Sequence, residues 1–174
     1  MAAVGVVAVL LLAPLVGLAA NFRVGERPSV PSGETVREDL YMAGGLVTYS
    51  GSVSGDLVAA GGTILVNGAV AGDVTAGGGT VTITGEISDD VRVGGGNILI
   101  EGAVSGDLVA GGGQVHVASS RVGGDVVIGG GTVRLDAPVG GKVTIGGGDI
   151  YLNAPVAGNV TVKADNLTLG PGAD

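Results

Sequence analysis

Acidic side chains recur along this chain at a fixed interval. Aspartate returns with a period of 17, and once after a step of 18, at Asp39, Asp56, Asp73, Asp90, Asp107 and Asp125. Stacked carboxylates repel one another, and hard cations take carboxylate oxygens, so cation binding is the chemistry that this ladder would suit. The alternative is that each aspartate, which follows a glycine corner, caps local backbone N–H groups, as in an Asx turn. Lys142 and Asn159 continue the spacing without a carboxylate, and we favour the structural role and predict no metal.

The other candidates for chemistry are one histidine and several triple-glycine runs. His116 lies between Val115 and Val117, which should face a core, so its imidazole should face solvent; no Ser or Cys nucleophile is matched to it. The glycine runs resemble phosphate-binding loops only superficially, because no Lys-Ser or Lys-Thr follows them. They occupy 77–79, 94–96, 111–113, 129–131 and 146–148. We therefore predict no catalytic residue, no cofactor and no nucleotide, and a protein that is not an enzyme.

Charge and residue counts exclude further classes. The net charge is −8, with only 8 Lys and Arg among 174 residues, which leaves no basic stripe for nucleic acid. The absence of cysteine excludes disulfides, thiolate catalysis and Cys-ligated metals. The 37 glycines would suggest low complexity without a period, but with a period they indicate a repeat architecture.

Apolar residues recur with the aspartate period at five positions of each repeat, from Val36 to Leu169. Each set of equivalent apolar residues forms a column, and these columns must position the aspartate side chains. Within a repeat, the intervals between successive apolar positions are 4, 2, 5 and 2, as in Val53, Leu57, Ala59, Ile64 and Val66. An interval of two indicates a strand with alternate residues facing inward, and the longer intervals indicate corners. Glycines fill these corners, and we expect them to use positive φ there.

These columns predict an all-β, single-domain parallel β-solenoid of about eight 17-residue coils, occupying residues 36–174. Each coil should contain three short strands around an apolar interior, a triangular β-helix. Parallel crossovers are nearly always right-handed, which predicts the same hand here. Residues 21–35 contain two prolines and several polar residues and are predicted to be a linker.

Residues 1–20 are predicted to be a signal peptide or a membrane anchor. Residues 2–20 are apolar and uncharged, and Pro14 followed by small residues at the end favours a cleaved signal. Arg23 and Arg27 follow the segment, which would instead keep the C-terminal side of an uncleaved anchor in the cytoplasm. The favoured location is therefore extracytoplasmic or membrane-associated through residues 2–20, and the alternative is the cytoplasmic face of the membrane.

Recurring blocks within the coils resemble the bactofilin family of polymer-forming bacterial proteins. They are Val-Ser-Gly-Asp-Leu-Val-Ala at 53–59 and 104–110, Val-Ala-Gly-Asp-Val-Thr-Ala at 70–76, and Val-Gly-Gly-Asp-Val-Val-Ile at 122–128. The resemblance covers residues 36–169. It implies a right-handed triangular β-helix, filaments joined end to end, no nucleotide and membrane association near the N-terminus. The Gly-Gly-Gly corners and the secretory N-terminus depart from the family and indicate an extracytoplasmic relative.

The ends of the predicted solenoid suggest how such a chain would assemble. Repeat proteins usually cover their terminal coils with polar caps, and the five residues after Leu169 are too few for a capping helix. We therefore expect a homopolymer in which each copy is the partner of the next. The expected joining residues are Leu40, Val47 and Tyr49 at one end and Val160, Val162, Leu167 and Leu169 at the other. The alternatives are a monomeric extracytoplasmic or cell-envelope binding module and, least favoured, an enzyme.

Overall fold

The computed structural model describes residues 20–173 and shows one all-β domain. Parallel strands stack about 17 residues apart into a β-solenoid of about nine coils, and no helix occurs in this range. The fold class predicted from the period is confirmed, with one coil more than the sequence suggested.

Thirteen strands build the solenoid within this range. The ten-residue strands are β4 (Leu40–Tyr49), β6 (Leu57–Val66), β8 (Val74–Ile83), β9 (Val91–Ile100), β10 (Leu108–Val117), β11 (Val126–Leu135), β12 (Val143–Leu152) and β13 (Val160–Leu169). The short strands are β1 (Asn21–Gly25), β2 (Ser29–Val30), β3 (Thr35–Val36), β5 (Ser52–Val53) and β7 (Ala69–Val70). The long strands, with β1 and β2, form the main sheet, and β3, β5 and β7 begin a second, narrow one.

Each ten-residue strand contains two of the three predicted sides of a coil. In β6, Leu57 and Ala59 face the core on the first arm, and Ile64 and Val66 face it on the second. Gly61 and Gly62 lie at the bend between the arms, and neither is buried. The alternation of inward and outward residues is interrupted there. The third side is a two-residue strand in the early coils and a single β-bridge in the later ones. The coil is thus a bent strand closed by a short third side.

The corner glycines do not use positive φ, so that expectation was wrong. Among residues 20–173, only Gly33 adopts a left-handed φ, at 91°. The corners need glycine because successive coils approach closely there: a Cβ on Gly78 would overlap the carbonyl oxygen of Gly61 in the coil before it. Glycine is therefore a spacing residue in this fold.

The five predicted columns form the core. All their members are buried in every coil from β4 to β12, which confirms the inward assignment. β-Branched residues dominate the columns because they pack well on pleated sheets. A sixth inward column of small residues was not predicted, and it consists of Gly51, Gly68, Gly85, Gly102, Ser119, Ala137 and Ala154.

The segment predicted as a linker is a further coil at the N-terminal end. β1 pairs with β4 and β2 pairs with the end of the same strand, both in parallel register. Asn21 pairs with Leu40, a step of 19 along the sequence, whereas Thr35 pairs with Ser52, a step of 17. Two additional residues in the turn after Val30 therefore hide this coil from a search for a period of 17.

Candidate functional site

The C-terminal end of the solenoid exposes the core residues of its last coil. Val160, Leu167 and Leu169 of β13 have 43%, 47% and 63% of their surface exposed, whereas their partners in β12 are at most 4% exposed. Val162 is half-buried beside them. With Ala173 and neighbouring apolar residues, these side chains line an open concavity of about 350 Å³. The structure thus brings together all four residues predicted for this end.

The same coil ends in an unpaired strand edge. In the coil before it, the Val143 N–H donates forward to the Asn159 carbonyl (2.9 Å), and the Leu152 carbonyl accepts from the Gly170 N–H (2.7 Å). Val160 and Leu169 hold the same two positions in β13, so their N–H and C=O groups point away from β12. Within residues 20–173, β13 pairs only with β12. Its outer edge is therefore a template for another strand.

The N-terminal end is not formed by the residues predicted for it. Leu40, Val47 and Tyr49 are fully buried, because the coil of residues 21–36 lies over them. The Tyr49 hydroxyl donates to the Ala69 carbonyl (2.8 Å), and burial raises the pKa of Tyr49 to about 12. These three residues are therefore part of the core, and this half of the predicted joining surface has to be corrected.

An arginine closes the N-terminal end instead. Arg23 pairs with Met42 and so occupies an inward column that is apolar in the later coils. Its guanidinium donates to the Ser29 carbonyl (3.0 Å) and forms an ion pair with Glu34, so it reaches from the first arm to the other two sides of the coil. This polar cap was missed in the sequence. The only signal for it was the alternation of Arg23 with the apolar Phe22 and Val24.

The aspartate ladder is a series of hydrogen bonds from one coil to the next. Six aspartates each present Oδ1 to the backbone N–H of the equivalent residue one coil later, at 2.7–3.1 Å. The glycine before the donating residue leaves room for this contact, since a Cβ on Gly124 would overlap Asp107 Oδ1. The aspartates accept backbone hydrogen bonds, as predicted, but the prediction of local capping was wrong, because each bond comes from the N–H group of the next coil.

Asp107 offers a test of this role. Asp107→Ala is expected to lower the free energy of unfolding by about 1 kcal/mol, because the Asp125 N–H, now 2.7 Å from Asp107 Oδ1, loses its acceptor. Asp107→Asn keeps an oxygen at the same position and should stay within about 0.5 kcal/mol of wild type. Urea unfolding followed by circular dichroism measures both. Equal losses in the two variants would show that the charge, and not the acceptor, matters.

One part of the ladder gathers three carboxylates. Ligand oxygens of Asp73, Asp89 and Asp90 lie within 4.8 Å of one another, a spacing that a hard cation could use. The Arg92 guanidinium, however, donates to the outer oxygens of Asp73 and Asp90, at 2.8 Å each. Their inner oxygens accept backbone N–H groups of the ladder. The arginine therefore forms ion pairs with two of the three carboxylates, Asp73 and Asp90.

A second polar cluster lies on the outward face of the second arm. The Asp136 carboxylate accepts hydrogen bonds from His116 Nε2 (2.9 Å), Arg134 Nε (2.5 Å) and Asn153 Nδ2 (3.2 Å). The Arg134 guanidinium lies 4.3 Å from the centre of the Tyr151 ring. Burial opposes ionisation, but the hydrogen bonds from Arg134, His116 and Asn153 outweigh it, so the pKa of Asp136 lies below its ordinary value. His116 faces outward, as predicted.

This carboxylate should make stability depend on pH. A pKa lowered by folding stabilises the protein fully above the unfolded value of about 3.9, and the contribution is lost as the pH falls through the folded value. The difference in Tm between wild type and Asp136→Asn should therefore be largest near neutral pH and shrink as the pH falls below about 3.9. Thermal melts across this range measure it. A difference that does not change with pH would assign the effect to packing.

Shallow grooves follow the same outward face. The larger, of about 410 Å³, is lined by side chains of four successive coils, among them Thr82, Leu99, His116 and Arg134. A smaller one of about 250 Å³ continues past Tyr151 toward the C-terminal end. The mixture of amide, hydroxyl, aromatic and charged groups could bind an extended polar ligand.

Comparisons with protein-family models, with curated proteins and with solved structures found no match to this chain. The fold and its two ends place the described residues in the class of parallel β-solenoids, with a polar cap at one end and an open apolar edge at the other. The resemblance to bactofilins stays a prediction. The predicted signal peptide or anchor lies, except for Ala20, outside the described residues, and within residues 20–173 no helix could span a membrane.

Proposed function

We propose that this protein is a structural scaffold, a rod that joins end to end with other copies through its C-terminal coil. The observation that carries the proposal is the open edge of β13, where Val160, Leu167 and Leu169 face solvent. Exposed core residues are unfavourable in water, and the free backbone groups beside them are a template for pairing, so the edge of another strand covers the first and pairs with the second. The β-solenoid fold is compatible with such a scaffold.

The proposal includes a bactofilin-like character. The Val-Gly-Asp blocks that carry the resemblance form successive coils of one rod, and polymer formation is what that family would imply. The partner is then the protein itself, without a nucleotide, a nucleic acid or a catalytic reaction. A filament needs two joining surfaces on each rod, so the length of the assembly depends on the N-terminal end.

Attachment to a membrane would place the scaffold at the cell envelope. Residues 2–20 are apolar and uncharged, which supports an extracytoplasmic or membrane-associated location. Mass spectrometry of the N-terminus after expression in a bacterium tests this. Cleavage near Ala20 supports export, and an intact N-terminus in the membrane fraction supports an anchor.

A second candidate function is a monomeric envelope module that binds an extended ligand. The grooves beside His116, Arg134 and Tyr151 favour it. This candidate predicts that the protein stays monomeric. It also predicts that substitutions in the groove, and not substitutions in β13, abolish ligand binding.

Size measurement separates the two candidates. The full chain, purified in a mild detergent, is examined by light scattering behind a sizing column and by negative-stain electron microscopy. Nine coils at about 4.8 Å predict a rod of about 43 Å, so joined rods should measure about 86 Å or more. The scaffold proposal would be wrong if only single rods were seen at every protein concentration up to about 100 μM. The Kd for joining would then lie above about 100 μM, which is a weak association.

A further inference from the structure

The sequence of β13 is nearly symmetric about its midpoint. Read inward from its two ends, it is Val-Thr-Val-Lys-Ala and Leu-Thr-Leu-Asn-Asp, so Val160 corresponds to Leu169 and Val162 to Leu167. The corner in the middle of the strand shifts the alternation by one residue, and all four apolar residues therefore belong to the inward columns. A second copy of β13 laid antiparallel on the first would place core residue on core residue along both arms.

The free backbone groups have the same symmetry. Because N–H and C=O groups alternate sides along a strand, Val160, Val162, Leu167 and Leu169 all direct theirs away from β12. Directly opposite residues of an antiparallel pair exchange two hydrogen bonds, so each of these four residues would find both of its partners. Lys163 would lie opposite Asn166 of the second copy and beside its Asp165, which adds an attraction between opposite charges.

The N-terminal end does not complement this edge. Continuing the parallel register would place Val162 over Arg23 and Leu167 over Pro28. Covering the ion pair between Arg23 and Glu34 would also remove two charges from water, which is costly.

From this asymmetry we infer that the scaffold assembles as a closed pair: two rods meet at their C-terminal ends about a two-fold axis, with antiparallel β13 strands. The capped N-terminal ends point outward and stop growth at two copies. The inference rests on the proposed end-to-end function and names its partner, a second copy, and its register. A self-complementary interface of this kind closes a dimer instead of propagating a filament.

Disulfide trapping tests the register, since the full chain has no cysteine of its own. Thr161 and Thr168 of the second copy would face each other as an outward, non-hydrogen-bonded pair about 4.5 Å apart between Cα atoms, within reach of a disulfide. Full-length Thr161→Cys and Thr168→Cys are oxidised separately and as a mixture. The mixture should give roughly tenfold more linked dimer than either variant alone.

Two double variants complete the design. Thr144→Cys/Tyr151→Cys places the same pair one coil deeper and should not cross-link. Ser29→Cys/Thr168→Cys reports the head-to-tail register, because Ser29 holds the position of Thr168 in the first coil.

The outcomes distinguish the inference from the function on which it rests. Linked dimers from the mixture, with a mass of two chains and no larger species, support the closed pair. A ladder of linked oligomers from Ser29→Cys/Thr168→Cys would overturn the closed pair and leave the end-to-end scaffold standing. A single-chain mass without any cross-link would overturn both.

Discussion

Gly102→Ala is expected to lower the free energy of unfolding by about 3 kcal/mol, whereas Gly111→Ala should raise it slightly, by less than about 1 kcal/mol. Gly102 is buried in the sixth column, and a Cβ there would overlap the Gly85 carbonyl oxygen of the coil before it. That oxygen belongs to the backbone and cannot rotate away, so two coils must share the strain. A Cβ on Gly111 meets nothing within 4 Å, and its φ is not positive. Alanine at position 111 therefore acts only by lowering the conformational entropy of the unfolded chain, which slightly stabilises the folded protein.

The two substitutions are matched in chemistry and differ in surroundings. Thermal and urea unfolding of the full-length variants, followed by circular dichroism in the same detergent, give the comparison. If both variants lost the same stability, the explanation from close approach of the coils would be wrong, and glycine would matter for its backbone freedom. If Gly102→Ala kept the stability of wild type, the corners would have room that the structure does not show.

The fold could be predicted because one local rule is repeated. A residue in an inner coil has its own equivalents as neighbours, so the spacing inside a repeat and the period together determine strand, face and register. The 18-residue step between Asp107 and Asp125 does not disturb this, since the additional residue lies on the third side, where coils meet only through single bridges such as Val104 to Val122.

The reason for each glycine could not be predicted. Three adjacent glycines have three different surroundings: a Cβ on Gly111 would be free, one on Gly112 would lie 2.5 Å from the Gly95 oxygen, and one on Gly113 would lie 2.9 Å from the Gly96 oxygen. These differences depend on how the coils lean over one another at the corner. The sequence shows only that all three positions hold glycine.

The N-terminal coil could not be predicted for a related reason. A terminal coil has a neighbour on one side only, so its inward columns need not continue, and terminal repeats are commonly atypical. Here the columns receive Asn21, Arg23 and Pro28, and the turn gains two residues. A search based on the inner coils therefore predicts two open ends, and only the C-terminal one is open in the structure.

Leu169→Lys is expected to weaken self-association at least about 100-fold without unfolding the rod. Leu169 is mostly exposed at the C-terminal end of the described chain, so a lysine is tolerated there. In a joined pair, each copy would bury an ammonium group among apolar residues without a counter-ion. Leaving a buried charge unpaired costs about 3–5 kcal/mol, and every 1.4 kcal/mol or so is a factor of ten in Kd.

Thr168→Lys is the matched control, because the neighbouring residue of the same strand faces outward. It adds the same charge to the same coil and should change Kd by less than about threefold, a difference of under 1 kcal/mol. Sedimentation equilibrium over a range of concentrations measures the Kd, and circular dichroism checks that both variants are folded. If Leu169→Lys associates as wild type does, the rods do not join through the core of β13. If Thr168→Lys disrupts association equally, the joining surface is the side of the rod, and the open edge would need another explanation.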